Sequence, residues 1–258
     1  MSADLPVLEA HDLCASYRRQ PVLHGVDVAL PKGALVGLLG PNGAGKSSFL
    51  KAVMGELKPD SGWVKLFGEP VTSARHRVAY VPQRESVDWD FPVTVADVAL
   101  MGTYGGLGWW RRPGKVERER AMAALDRVGM TPFAQRPIGE LSGGQQQRVF
   151  VARALAQDAE LLLMDEPFAG VDAATEESII GVLRELRAAG RTVLVVHHDL
   201  QTARKYFDLL MLLNLRVIAF GPVADVFTPE HLEAAYGGRL TLLSEVASRA
   251  AGGGETLR

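Results

Sequence analysis

Apolar residues along the chain fall into short unbroken runs separated by mixed stretches. Leu35-Val36-Gly37-Leu38-Leu39, Leu161-Leu162-Leu163-Met164, Thr192-Val193-Leu194-Val195-Val196 and Leu209-Leu210-Met211-Leu212-Leu213 read as strands buried on both faces. Between them the spacing changes. Phe49, Leu50, Val53, Met54 and Leu57 recur at helical intervals, and Ile179, Ile180, Leu183 and Leu186 share one helical face before Gly190, a helix stop. Strands alternating with helices predict a parallel sheet with helices on both faces.

The first third has a different rhythm. Val7 to Tyr17, Val22 to Leu30 and Trp63 to Phe67 are β-rich and bounded by Pro-Lys-Gly or Asp-Ser-Gly turns, which predicts an antiparallel layer. From Phe91 to Arg153 the pattern turns helical, interrupted by Gly105-Gly106-Leu107-Gly108-Trp109-Trp110-Arg111-Arg112-Pro113. The expected division is 1–90 for the antiparallel layer and the first part of an α/β core, 91–153 for an inserted helical subdomain, 154–235 for the second part of the core, and 236–258 for a tail. The tail carries Gly252-Gly253-Gly254 and too little apolar content to pack.

Composition narrows the picture. The chain has 258 residues, with 28 basic against 30 acidic side chains, so no nucleic-acid partner is expected from bulk charge. Cys14 is the one cysteine, which rules out an internal disulfide and fits a reducing compartment. The N-terminus has no signal pattern. The apolar stretch Leu209 to Phe220 is broken by Asn214 and Arg216 and is too short to span a bilayer, so a cytosolic chain that sits against a membrane only through a partner is expected.

Candidate chemistry begins where the first buried strand ends. Gly40-Pro41-Asn42-Gly43-Ala44-Gly45-Lys46-Ser47-Ser48 is a full G-x-x-x-x-G-K-S phosphate loop between a strand and a helix. Its glycines let backbone N–H groups turn inward, and the following helix adds the positive end of its dipole. Lys46 is placed for β- and γ-phosphates and Ser47 for Mg²⁺. Asp165 and Glu166 follow the run Leu161 to Met164, where ligands bind in open α/β sheets. Asp165 is the candidate Mg²⁺ ligand, directly or through water, and Glu166 the candidate base for an attacking water. Leu141-Ser142-Gly143-Gly144-Gln145-Gln146-Gln147-Arg148 predicts a helix opened by two glycines, with free N–H groups and the Ser142 hydroxyl facing outwards as a second anion site.

That octet matches the signature of ATP-binding cassette (ABC) transporter subunits, and the resemblance runs from about Leu8 to about Gly221. It implies an α/β fold: a RecA-like P-loop NTPase core with an antiparallel β subdomain and an inserted α-helical subdomain. It also implies ATP and Mg²⁺ as cofactors. By resemblance Tyr17 would stack on adenine, Gln83 would contact Mg²⁺ and the attacking water, and Asp172 would lie in the D-loop. His198 would be the switch histidine on the γ-phosphate, leaving His197 to packing, since neighbours on a strand face opposite ways. One phosphate loop and one signature imply a second copy. In this family Leu141, Ser142, Gly143, Gly144 and Gln145 of one subunit close over ATP held by the other.

Cargo must come from the part that meets a membrane partner. Val87 to Gly102, with Tyr104 to Pro113, resembles the ATPases of manganese, zinc and iron importers, as does Pro167-Phe168-Ala169-Gly170-Val171-Asp172. The resemblance implies permease subunits in the membrane, a metal-binding protein outside it, and a peripheral place on the cytoplasmic face. Trp89, Phe91, Trp109 and Trp110 are the candidate groove for a permease helix. Arg111, Arg112, Lys115, Arg118 and Arg120, broken by Glu117 and Glu119, read as a solvated face. A siderophore-type importer ATPase and a soluble ABC ATPase of iron–sulfur assembly stay open as alternatives. A DNA-repair ATPase would need a long coiled coil where about 95 residues without sustained heptads separate the two motifs.

Overall fold

The computed structural model describes residues 5–84, 87, 89, 91–107 and 111–237. In chain order its elements are β1 (Leu8–Tyr17), β2 (Gln20–Leu30), β3 (Leu35–Leu39), α1 (Lys46–Val53), β4 (Ser61–Leu66), β5 (Glu69–Pro70), α2 (Val71–Ala74), β6 (Val78–Val81), α3 (Val95–Met101), α4 (Lys115–Arg127) and α5 (Gly143–Gln157). Then come β7 (Leu161–Asp165), α6 (Ala173–Ala188), β8 (Thr192–Val196), α7 (Leu200–Tyr206), β9 (Leu209–Asn214), β10 (Arg216–Pro222), α8 (Val223–Val226) and α9 (Pro229–Tyr236).

Two sheets result. A four-stranded antiparallel sheet has the order β2-β1-β4-β5, and a six-stranded sheet has the order β10-β9-β3-β8-β7-β6. In the second, β9, β3, β8, β7 and β6 run parallel, and β10 folds back antiparallel on β9. The long apolar stretch near the C-terminus is thus a hairpin, turned at Leu215 in a left-handed conformation with φ of 59°. Among the described residues no helix is long and apolar enough to cross a membrane.

Alternation explains why unbroken apolar runs were needed. Leu35, Leu39, Leu162, Met164, Val193, Val195, Leu210 and Leu212 face the helical layer of α3 to α6. Their neighbours Val36, Leu38, Leu161, Leu163, Leu194, Val196, Met211 and Leu213 face α1 and the antiparallel sheet. Truncating one such leucine to alanine removes both its burial and its packing, about 2–5 kcal/mol.

Several details depart from the sequence reading. The helix after the phosphate loop ends at Val53, so Leu57 packs into the core from beyond it rather than from a further turn. The edge strand β6 and the returning strand β10 were not foreseen. Edge strand β6 is covered by α5: Arg153 donates to the Tyr80 carbonyl at 2.8 Å and Gln157 to the Val78 carbonyl at 2.7 Å. The supposed aromatic groove is only partly outside. Trp89 is half-buried, its ring edge-on to Phe150 at 5.1 Å, because its indole N–H finds the Arg84 carbonyl. Phe91 is exposed, while Trp109 and Trp110 lie outside the described residues, as do the glycine tail and the first four residues. Arg111, Arg112, Lys115, Arg118 and Arg120 are solvated.

Directly after β8, His197 is 2 % exposed among Phe168, Tyr206 and Phe207, with Nε2 2.7 Å from Thr202 Oγ1. Burial, with His198 beside it, pushes its imidazole from 6.5 down to about 4, so it is neutral in the fold. Below pH 6.5 the unfolded chain takes a proton that the folded chain refuses until about pH 4. The resulting loss is about 2 kcal/mol by pH 5. Thermal unfolding at pH 7.5 and pH 5 should therefore show a smaller acid-induced drop in Tm for His197→Asn than for wild type; equal drops would contradict a buried neutral imidazole.

Candidate functional site

The phosphate-loop segment 40–48 joins β3 to α1 through residues 40–45 and continues into the first turn of α1, and it is built by close approach. Any side chain at Gly40 would meet the Leu213 carbonyl oxygen at 2.1 Å, and one at Gly45, where φ is 92°, would meet that of Val22 at 2.3 Å. The β9–β10 turn is the wall behind it: the Leu215 N–H donates to the Ala44 carbonyl at 2.8 Å, and the Leu215 carbonyl accepts from the His24 N–H at 2.7 Å. Pro41, Asn42, Gly43 and Ala44 arch over this wall, with Asn42 and Gly43 exposed. No side chain caps the N-terminus of α1, where Ser47 and Ser48 stand half-buried in the first turn. Lys46 is only 6 % exposed and its amine donates to the carbonyls of Gly40 at 2.8 Å and Pro41 at 3.0 Å. Burial lowers its pKa, against the opposing pull of Glu166 and Asp165.

Those two acids close β7. Asp165 is buried, and its Oδ1 has no hydrogen-bond partner among the described residues. Burial pushes its carboxyl up, with the Ser47 hydroxyl pulling the other way and Glu166 adding to the rise. A buried carboxylate oxygen without a donor, beside a hydroxyl, is a donor set suited to a hard divalent cation. Glu166 has a left-handed backbone, φ 51°, a strain of about 1–3 kcal/mol for a residue with a side chain. Its Oε2 accepts from Gln83 Nε2 at 3.1 Å. Gln83 follows β6, the neighbour of β7, so strand pairing joins residues far apart in sequence. Tyr80, on β6, has its hydroxyl pushed up by burial and then by Asp165.

His198 emerges exposed after β8, between the phosphate loop after β3 and the acids after β7. Tyr17, 43 % exposed, closes β1 opposite Gln20 on the antiparallel sheet, in the hairpin whose Val22 carbonyl abuts Gly45. Four neighbouring strands thus present the loop 40–48, His198, Asp165 with Glu166, and Gln83 in one row at their carboxyl ends.

The segment 141–145 sits elsewhere. Leu141 is buried, and Ser142 caps α5 in a reciprocal box: its N–H donates to Gln145 Oε1 at 2.9 Å, and its hydroxyl accepts from the Gln145 N–H at 3.4 Å. The hydroxyl oxygen is therefore engaged by its own helix, while Ser142 stays exposed and its O–H proton remains to donate to an anion. Gly144 lies against Thr175, whose N–H and hydroxyl bond Asp172 at 2.8 and 3.2 Å. Asp172 caps α6, and these bonds hold its carboxyl below the usual range. Among the described residues no hydrogen bond joins 141–145 to 40–48. Arg84, which bonds Gln146 on α5 and packs on Gly143, was not foreseen; nothing in its spacing marks it. Thr175 was also missed, although its place three residues after Asp172 is the spacing of a helix cap.

Comparison with known proteins gives the family. The ABC transporter family pattern matches residues 23–169. The chain is similar to the zinc transport system ATP-binding protein TroB of Treponema pallidum (strain Nichols), 58% identical over 93% of this chain and 91% of that protein. It is also similar to the manganese transport system ATP-binding protein MntB of Bacillus subtilis (strain 168), 54% identical over 92% and 95%. Among solved structures, an ATP-binding cassette in a dimeric post-hydrolysis state with ADP and phosphate superposes with a TM-score of 0.73 at 28% identity, over 84% of this chain and 98% of that one. With the row of strand-end residues and the Ser142-capped helix, these matches place the chain: it belongs to the ABC transporter family, as an ATP-binding subunit.

Proposed function

We propose that this ATP-binding subunit drives uptake of a transition-metal ion, manganese or zinc, through a membrane permease. The single observation that carries the ATPase half is the row of strand ends that sets the loop 40–48 beside Asp165, Glu166, His198 and Gln83. The names of relatives more than half identical to it support the cargo. The chain would lie on the cytoplasmic face of the membrane, held there by its permease. Phe91 before α3, Met101 at its end and Tyr104 after it are exposed, and are the apolar side chains offered to that partner. An extracytoplasmic metal-binding protein would deliver the ion from the other side.

In this reading Tyr17 stacks on adenine, and the backbone of Gly40 to Ser48 holds the phosphates. Lys46 leaves the carbonyls of Gly40 and Pro41 to meet the β- and γ-phosphate oxygens. Ser47, Asp165 and Gln83 would hold Mg²⁺, which when bound neutralises charge on those phosphates. Glu166 takes a proton from the attacking water, Gln83 orients that carboxylate, and His198 donates to the γ-phosphate. The signature residues Leu141 to Gln145 and the D-loop Asp172 act on the ATP of a second copy. The separation of 141–145 from the chain's own loop supports that trans arrangement, as does the dimeric state of the solved relative.

Three outcomes follow. Glu166→Gln should lower kcat by about a hundredfold or more while ATP still binds and a closed dimer accumulates on size exclusion; full turnover would remove Glu166 from the chemistry. Ser142→Arg should abolish hydrolysis while the isolated chain's ATP affinity stays within about twofold, since it strikes the partner's site; normal turnover would contradict the sandwich. Co-purification with a permease, then uptake of radiolabelled Mn²⁺, Zn²⁺ and Fe²⁺ into proteoliposomes, should show ATP-dependent uptake of Mn²⁺ or Zn²⁺. Uptake of neither would overturn the cargo.

A further inference from the structure

Arg84 joins two regions that the proposed mechanism uses in different ATP sites. Its neighbour Gln83 bonds Glu166, in the chain's own row of strand-end residues. Its own Nε donates to Gln146 Oε1 on α5 at 3.1 Å. Gln146 is 3 % exposed, and its amide Nε2 donates to the Ile138 carbonyl at 3.2 Å, so the side chain is held from both ends and cannot follow Arg84 freely. The guanidinium carbon would come within 2.9 Å of a Cβ at Gly143, so it rests on the first turn of the helix that Ser142 caps. The Arg84 carbonyl in turn accepts from the Trp89 indole at 3.0 Å, and that ring packs on Phe150, a further turn along α5.

The electrostatics of this placement are unusual. A cation belongs at a helix C-terminus; against the first turn it faces the positive end of the dipole and lowers the stability of α5. The Gly143 contact and the Gln146 bond hold it there nevertheless. An anion brought to the Ser142–Gly143 end would reverse the sign of that interaction. It would add an attractive charge beside the Gln146 bond and would tighten the arginine against α5.

We propose that Arg84 is a positioning residue that couples the two ATP sites of the sandwich dimer. ATP held by the partner and reaching Ser142 and Gly143 draws the Arg84 guanidinium to it. Because Arg84 and Gln83 share a peptide bond, this sets the Gln83 amide that holds Glu166 in the chain's own site. Each nucleotide thereby readies the hydrolytic carboxylate at the other. The proposal rests on the trans arrangement above.

The test is a double-mutant cycle on the full-length chain, read as ATPase rate against ATP concentration. Wild type should show a Hill coefficient approaching about 2, the number of sites, and Arg84→Ala one near about 1 with kcat reduced about tenfold. Gln146→Ala should do the same, and the double variant should be no worse than the worse single one. Arg84→Lys retains the charge without the Nε donor and should recover part of the rate, which a folding defect would not allow; Tm should match wild type. Additive losses, or an unchanged Hill coefficient in Arg84→Ala, would overturn the coupling. Glu166→Gln separates the two readings. If that variant fails to dimerise with ATP, the sandwich itself is wrong; if it dimerises and Arg84→Ala stays cooperative, only the coupling is.

Discussion

Parallel pairing of β3, β8, β7 and β6 is the constraint on which the site depends. Leu38 lies level with Val196, Val196 with Asp165, and Met164 with Val81. The chain therefore leaves the sheet at nearly the same height four times over. Gly40 and His198 each stand two residues past one shared row, Glu166 one residue past it, and Gln83 two past the row of Met164. With strands about 4.8 Å apart, the four loops occupy an edge about 15 Å long. A slip of one residue in any strand would turn its apolar side chains from one covered face to the other, so the register is held by two cores at once.

The helical layer does more than cover that sheet. Along its length α5 is fastened to the segment from Val78 to Trp89: Gln157 and Arg153 to the β6 carbonyls, Phe150 to Trp89, and Gln146 to Arg84. The end of α5 that carries Ser142 and the loop that carries Gln83 thus sit on one continuous set of contacts. Thr175 against Gly144 ties the same helix end to Asp172 at the start of α6. The start of α5 thus touches the neighbour in sequence of Gln83 and the hydrogen-bond partner of Asp172.

How much of this could be read from sequence depends on what each element buries. β3, β7, β8 and β9 were legible because both faces are covered, which demands unbroken apolar runs. β6 has four residues and follows the basic Arg75-His76-Arg77, and β10 opens on exposed Arg216 and is nowhere fully buried, so neither leaves that mark. The phosphate loop, the acids and the signature were visible as motifs because backbone curvature and chemistry there admit few residue types. Arg84 and Trp89 escaped because their roles exist only once β6 and α5 are side by side. Trp89 was read as exposed for the same reason, its indole partner being a carbonyl that no pattern announces.

The turn after β7 illustrates how a local cost serves the site. In an extended strand Asp165 and Glu166 would face opposite sides of the sheet, since successive side chains alternate. The left-handed φ of 51° at Glu166 breaks that alternation, and the Glu166 carbonyl then accepts from the Ala169 N–H at 3.2 Å in a tight turn. Both carboxylates consequently act on the Lys46 amine, which each holds towards its charged form against the burial that disfavours it. A glycine at this position would relieve the backbone but supply no carboxylate to Gln83. Strain in the backbone and the hydrogen bond at its side chain therefore belong to the same residue, which is why the turn can neither relax into a strand nor be made by the residue that suits it best.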